Sequence, residues 1–311
     1  MFFGVEGLTK TYEAAPVLED VTFGMEKGEM VSIIGPSGAG KTTLLKLVAG
    51  LDRPTSGRVI FQNEPSRENP VIMVFQDYVL FPSMTVCENV AFGLRARRLS
   101  GDEVRRRVME VLDYFGLVSK ADAYPEHLSG GQRQRVAIAR GLVVNPMMLL
   151  LDEPFANLDR NLKLQTAEFI RETQRNFGVT TLSVTHDLEE AFVMSDRIGL
   201  VMDGRLVQFG EARDVYFNPV HEDAARFLGP LNVLEGEVLT LMGCEGTQRR
   251  AVRPESLLLH PREDGAGRVL CADFAGHFTK YLVEVGDTVI TVYGTDSALR
   301  HGDRVAIEII E

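Results

Sequence analysis

Cysteine is scarce in this 311-residue chain: Cys87, Cys244 and Cys271 are the full set, and they lie far apart. They form neither a C-x-x-C metal pair nor a dense disulfide framework, so the simplest expectation is a reduced compartment. Positive charge is also in deficit. Lys and Arg number 33 against 44 Asp and Glu, giving a formal net charge of -11 and a pI near 5.2. That balance counts against a chain whose main business is coating nucleic acid, and leaves room only for local basic patches. No stretch approaches the ~20 apolar residues of a membrane span. The opening Met1 to Glu6 has no basic segment leading into an apolar run, as a secretory leader would. Any work at a membrane is therefore expected from outside the bilayer. What the chain does have is apolar material, 45% of it hydrophobic, enough at this length for two domains with their own cores.

From Met1 to about Leu228, short β-branched runs alternate with amphipathic segments, the pattern of an α/β domain with a largely parallel sheet. Met30 to Ile34, Val71 to Phe75, Met148 to Leu151 and Thr180 to Val184 read as buried strands. Each runs into a polar or glycine-bearing turn, where ligand sites of such sheets gather. Ser100 to Phe115 opens with Ser100 and Glu103 at capping-box spacing and continues with Val104, Val108, Val111, Leu112 and Phe115 at helical intervals. After Gly229-Pro230 the texture changes to short alternating strands such as Val283 to Val285 and Thr288 to Tyr293, with Gly-Asp turns at Gly286 and Gly302. The expectation is an α/β domain over 1–230 and a small all-β domain over 231–311, without internal repeats.

The strand Met30 to Ile34 leads into Gly35-Pro36-Ser37-Gly38-Ala39-Gly40-Lys41-Thr42, and Thr43 then opens the apolar run Leu44 to Val48. This is the G-x-x-x-x-G-K-T loop in its required strand-to-helix setting. The glycines let backbone N–H groups turn inward around phosphate oxygens, the helix N-terminus adds partial positive charge and Lys41 a full one. Thr42 is the expected Mg²⁺ ligand. Met147 to Leu151 ends in Asp152-Glu153-Pro154, two acids whose position past a buried run is costly without a cation nearby. In P-loop enzymes an acid here holds Mg²⁺, and its neighbour can polarise the attacking water.

Between these sites lies Leu128-Ser129-Gly130-Gly131-Gln132, opening a helix from Arg133 to Val144. Ser129 suits an N-cap, and the glycines bare N–H groups that could meet a phosphate. With this LSGGQ the chain resembles the ABC ATPase family over the whole first domain. The fold implied is an α/β P-loop NTPase cassette with a helical subdomain. The resemblance also implies ATP and Mg²⁺ as cofactors, Tyr12 stacked on adenine, and Gln76 sensing Mg²⁺ and facing membrane subunits. Asp159 falls in a D-loop that reads Ala156-Asn157-Leu158-Asp159, where many relatives have Ser-Ala-Leu-Asp. Catalysis would rest on Glu153, His186, Gln76 and Lys41, with Thr42, Gln76 and Asp152 at the metal. Alone, His186 would read as an ordinary hydrogen-bonded histidine. In the family the signature helix comes from a second copy, so a homodimer would sandwich two ATPs, and Asp77 to Leu94 would receive a coupling helix from the membrane protein.

Phe75-Gln76-Asp77-Tyr78-Val79-Leu80-Phe81-Pro82 and the tail look like importers of the sugar, polyamine, ferric-iron, sulfate and molybdate group. Val252-Arg253-Pro254-Glu255 is similar to a motif of their OB/TOBE-like domain. The resemblance implies two permease subunits, an extracytoplasmic substrate-binding protein, no nucleic acid, and a peripheral position on the cytoplasmic face of the membrane. Polyamine or ferric iron and inorganic anions are the cargoes it suggests. The connection from Phe61 to Val71 is shorter than usual for the group. The tail is read as a structural and dimerising module, with Arg249, Arg250 and Arg253 as the residues for any bound anion. The competing class is a soluble ABC ATPase acting on nucleic acid or ribosomes. Such relatives usually carry long coiled-coil insertions, zinc cysteines or a second cassette, and none is present.

Overall fold

The β-branched and apolar runs become the centre of a six-stranded sheet in the computed structural model, which describes residues 1–13, 15–155, 160–243, 249–295 and 299–310. The chain divides into two compact units, Met1–Asn218 and Pro219–Glu311. In the first, the elements run β1 (Phe3–Tyr12), β2 (Ala15–Met25), β3 (Met30–Ile34), α1 (Lys41–Val48), β4 (Ser56–Phe61), β5 (Val71–Val74), α2 (Val86–Ala96), α3 (Gly101–Tyr114) and α4 (Gly130–Leu142). They continue with β6 (Met148–Asp152), α5 (Arg160–Phe177), β7 (Thr180–Thr185), α6 (Leu188–Met194), β8 (Arg197–Met202), β9 (Arg205–Glu211) and α7 (Ala212–Phe217).

The main sheet has the order β5-β6-β7-β3-β8-β9. All neighbours are parallel except β8 and β9. Every residue of β3, β6 and β7 is buried, which is why these strands read as continuous runs rather than alternating ones. Parallel register pairs Ile34 with Thr185 and Asp152 with Val184. The carboxyl ends of β3, β6 and β7 thus align, and the turns that follow them open on one edge of the sheet.

A three-stranded antiparallel sheet, β2-β1-β4, accompanies it and was not anticipated from the sequence. Its apolar face, with Phe3, Val5, Leu8 and Leu18, shares a core with Leu44 and Leu45 of α1 and with Ile33 and Leu182 of the main sheet. A separate core gathers Val90 and Leu94 of α2, Val108 and Leu112 of α3, and Val136 and Ile138 of α4 around Phe115. This is the helical subdomain. The α3 start is capped from one side only: Ser100 Oγ accepts from Glu103 N, while the Glu103 carboxylate turns to Arg106 and Arg107 instead of back to the chain.

The second unit begins with α8 (Glu222–Leu228), followed by β10 (Asn232–Leu234), α9 (Gly236–Leu241), β11 (Arg250–Val252), β12 (Leu257–Pro261), β13 (Gly267–Phe274), β14 (Thr279–Val285), β15 (Thr288–Gly294) and β16 (Arg304–Ile309). Its five-stranded sheet, β12-β16-β13-β14-β15, is antiparallel throughout. Alternation along β14 buries Tyr281, Val283 and Val285 on one face. The Asn232 side chain extends β15 as a strand would, donating from Nδ2 to Thr291 O at 2.7 Å and accepting from Thr291 N at 2.8 Å.

Helix α8 lies before the change of sequence texture at Gly229-Pro230 yet clusters with the second unit. Arg253 supplies a reason. It is 4% exposed, and its Nη1 donates to the carbonyls of Ala225, Gly229 and Pro230, closing the C-terminal end of α8. Arg253 is therefore a helix-closing residue rather than an exposed cation. Arg249 is likewise engaged, by Glu222 and Glu235.

Candidate functional site

The phosphate loop is held open by backbone conformations that side chains resist. Gly40 caps α1 with φ +93°, and a Cβ there would lie 2.7 Å from both Val17 O and Leu18 Cδ2. At Gly35 a Cβ would sit 2.1 Å from Val201 O. Glycine at both positions is thus dictated by close backbone approach. Ser37 and Gly38 are exposed at the tip, whereas Lys41 is buried and donates from Nζ to Gly35 O at 2.8 Å and Pro36 O at 2.9 Å. Burial pulls the Lys41 ammonium below its ordinary range, with Glu153 and Asp152 opposing. An ammonium held by two carbonyls on its own loop is poised to exchange them for phosphate oxygens.

Directly across, Thr42 Oγ1 donates to Asp152 Oδ1 at 2.9 Å. Asp152 is 6% exposed, and burial raises its carboxyl above the usual carboxylate range against the opposing Thr42 hydrogen bond. A hydroxyl and one buried carboxylate suit Mg²⁺, which is bound through one or two protein oxygens together with phosphate oxygens rather than in an all-protein cage. No group of three His, Cys, Asp or Glu that could hold a metal occurs among the described residues. The donor set fits the ion.

Glu153 takes φ +45° as its N donates to Val184 O at 3.0 Å, turning the chain out of β6. Its Oε2 lies 2.5 Å from His186 Nδ1. The two residues leave neighbouring strands β6 and β7, so parallel register brings them together. His186 is 53% exposed in its side chain and Glu153 is largely covered, which leaves the imidazole accessible beside a shielded carboxylate.

Tyr12 projects near the same loop. Its hydroxyl hydrogen bonds to Asp52, Lys10 Nζ stands 4.6 Å from the ring centroid, and Thr43 of α1 interacts with it. Lys10 also donates to Asp52 Oδ1 at 2.7 Å. Hydrogen bonds from Lys10, Tyr12 and the Arg53 amide hold the Asp52 carboxyl down to about 2. The pair Lys10 and Asp52 orients the tyrosine, and nothing in the sequence spacing signalled it.

Ser129 caps α4, accepting from Gln132 N, while Gln132 Oε1 accepts from Ser129 N at 3.0 Å. The helix begins at Gly130 rather than Arg133, and Gln132 has a structural task as the return half of a capping box. Ser129 is exposed, and Gly130, Gly131 and Gln132 are half-buried. No described hydrogen bond or ion pair joins this helix start to Lys41, Thr42, Asp152, Glu153 or His186. Gln76 is exposed just past β5, which ends at Val74. Asp159 lies outside the described residues.

The segment after Gln76 is shaped by Asn89, which is fully buried on α2. Its Oδ1 accepts from Phe81 N at 2.9 Å, and its Nδ2 faces the carbonyls of Phe81, Met84 and Thr85 at 3.0–3.1 Å. Arg140 Nη1 and Nη2 donate to Val79 O and Tyr78 O. Tyr78 is buried, whereas Val79 and Phe92 are exposed, with the Phe81 and Phe92 rings tilted against each other, centroids 4.6 Å apart. The expected groove is thus part core and part apolar surface.

A protein-family model described as ABC transporter matches residues 18–156. The chain is 38% identical to the molybdate/tungstate import ATP-binding protein WtpC of Pyrococcus abyssi, across 95% of this chain and 92% of that protein. It is 39% identical to the Fe(3+) ions import ATP-binding protein FbpC of Rhizobium etli, across 90% and 86%. Among solved structures, a dimeric ATP-binding cassette in a post-hydrolysis state with ADP and Pi is 35% identical and superposes with a TM-score of 0.60, covering 68% of this chain and 99% of that one.

Proposed function

This chain belongs to the ABC transporter family as one of its import ATP-binding subunits, and from that premise we propose that two copies close on two ATP molecules to drive separate permease subunits. The chain is an ATPase and uses ATP with Mg²⁺. The observation that best supports a hydrolytic role for this geometry is the pairing of Glu153 with His186 beside the Thr42–Asp152 contact.

In the proposed mechanism, the loop N–H groups of Gly35, Ser37, Gly38, Ala39 and Gly40 cradle the β- and γ-phosphates, Pro36 shapes the loop without donating, and Lys41 exchanges its loop carbonyls for their oxygens. Thr42 and Asp152, with Gln76, would hold Mg²⁺, which when bound neutralises charge on the phosphates. Glu153 orients and deprotonates the attacking water, and His186, fixed through Nδ1 by that carboxylate, presents its opposite edge to the terminal phosphate. Tyr12 stacks on the adenine, and Ser129, Gly130, Gly131 and Gln132 complete the site on the partner copy. Asp159 is assigned to the same junction.

Hydrolysis then removes the bridge between copies, and opening is the mechanical output. The exposed apolar residues Val79 and Phe92 support a membrane-facing role for the groove. We place the protein on the cytoplasmic face of the membrane as a peripheral subunit, served by an extracytoplasmic binding protein. No helix among the described residues is long and apolar enough to cross a membrane. The proposed cargo is a small ionic solute, either a polyamine or ferric iron or an inorganic anion. This agrees with relatives named for molybdate/tungstate and ferric import.

The test is ATPase turnover against protein concentration, alongside Glu153→Gln and light scattering with ATP. Turnover rising with about the square of concentration when dilute, and an inactive ATP-trapped Glu153→Gln dimer, are expected. Concentration-independent turnover by a monomer would overturn the two-copy mechanism.

A further inference from the structure

Behind His186 lies a buried ionic cluster that the phosphate-handling residues do not use. Glu190, in the first turn of α6, is 2% exposed. Its Oε2 accepts from Thr185 Oγ1 at 3.0 Å, and the same hydroxyl oxygen accepts from Asp187 N at 3.0 Å. One hydroxyl thereby links Glu190 to the residues on both sides of His186. Asp187 Oδ1 in turn accepts from Glu190 N at 3.3 Å. From α5, Lys163 Nζ reaches within 3.2 Å of Asp187 Oδ2 and 3.1 Å of Glu190 Oε1. That Oε1 accepts no well-aligned hydrogen bond, so the ammonium charge is its compensation.

Among the described residues, no other hydrogen bond or ion pair brings a competing charge to this point. β3 contributes the Ser32 hydroxyl, which accepts from Ser195 Oγ at 2.6 Å, and Arg171 of α5 is engaged by Asp196 beyond the far end of α6. Lys163 and His186 line the same open cavity of about 430 Å³, with Asp187, Leu188 and Glu189. Burial and the neighbouring Asp187 push the Glu190 carboxyl up to about 7 against the pull of Lys163. A buried pair so finely balanced is sensitive to loss of either member.

We infer that Lys163 and Glu190 are positioning residues for ATP hydrolysis: their ion pair fixes the Thr185–Asp187 turn, hence the His186 imidazole against Glu153, and ties that turn to the start of α5. This rests on the reading of His186 as the group that meets the terminal phosphate. It assigns a mechanical consequence to α5, which begins immediately after residues 156–159. A shift of its first turn pulls on Lys163 and, through Glu190 and Asp187, on His186.

The experiment uses the full chain carrying Lys163→Met, Lys163→Arg, Glu190→Gln, the double variant Lys163→Met/Glu190→Gln, or His186→Ala. It reads kcat, KM for ATP and the imidazole NMR resonances of His186. Lys163→Met should lower kcat tenfold or more, leave KM within twofold, and shift the His186 resonances. Lys163→Arg should restore most of the turnover, and the double variant should exceed Lys163→Met because no charge is left unpaired. Glu190→Gln, nearly isosteric, keeps the test decisive if Lys163→Met folds poorly: it should shift the same resonances and lower kcat. If His186→Ala is inactive while Lys163→Met and Glu190→Gln keep kcat within twofold, the positioning role is refuted and the reading of His186 stands. Full turnover by His186→Ala refutes that reading and this inference with it.

Discussion

Replacing Asn89 by alanine tests how the segment from Gln76 to Thr85 is held. The side chain is fully buried and satisfies one N–H, of Phe81, while offering its amide to three carbonyls. Its two amide hydrogens are shared among those three, so truncation removes about three effective hydrogen bonds. Each buried group left unsatisfied costs about 1–3 kcal/mol, less whatever water regains. Phe81, Met84 and Thr85 are only half-buried, so the lower end applies, and the expected loss is about 2–4 kcal/mol. That is a large share of the ~5–15 kcal/mol that holds a domain together. Urea unfolding gives the magnitude, and amide hydrogen exchange at Phe81 gives the location, with protection there falling most. Asn89→Asp keeps the acceptor for Phe81 N but turns negative charge toward three carbonyls, so it should be at least as destabilising at pH 7 and partly relieved near pH 5, where the buried acid takes up a proton. A loss below about 0.5 kcal/mol for Asn89→Ala, or unchanged exchange at Phe81, would refute the reasoning.

Two further outcomes follow from buried charges. Arg253→Met should strip the carbonyls of Ala225, Gly229 and Pro230 of their donor and lower the stability of the second unit by about 2–4 kcal/mol. Calorimetry should show one transition moving down, and an unmoved transition would remove Arg253 from its assigned role. For Glu190, an upward move from the ordinary 4.5 to about 7 means that the folded state holds the proton more tightly. The stability so contributed, about 3 kcal/mol at ~1.4 kcal/mol per pKa unit, is complete below the unfolded value and lost as pH rises through 7. Glu190→Gln should therefore lose less stability than the wild type between pH 5.5 and 8 in urea unfolding, by about 2 kcal/mol; equal pH slopes would contradict the shift.

Much of the site was legible because its motifs are local. A strand end, a tight glycine turn and a helix start are consecutive in Met30 to Val48, so one stretch of chain specifies the phosphate loop. Leu128 to Gln132 carries its own cap for the same reason. Asp152 and Glu153 stand out because they follow directly on a buried run, whereas His186 is named only through the family resemblance. The partnership of these residues could not be read, because it depends on β6 and β7 lying side by side, with Asp152 opposite Val184, and strand order is not written in either strand.

Pairings remote in sequence required the folded chain. Lys10 of β1 and Asp52, in the connection after α1, together orient Tyr12, and Lys163 meets Glu190 only because α5 packs on α6. Arg253 reads as an exposed cation in a short motif, and becomes a buried helix-closing residue once β11 leads it to the end of α8. Local chemistry therefore determined which residues are candidates for phosphate and metal. Tertiary structure decided which charges neutralise one another, because a side chain's partner is set by which elements the hydrophobic cores bring within 3 Å, and that is a property of the whole chain.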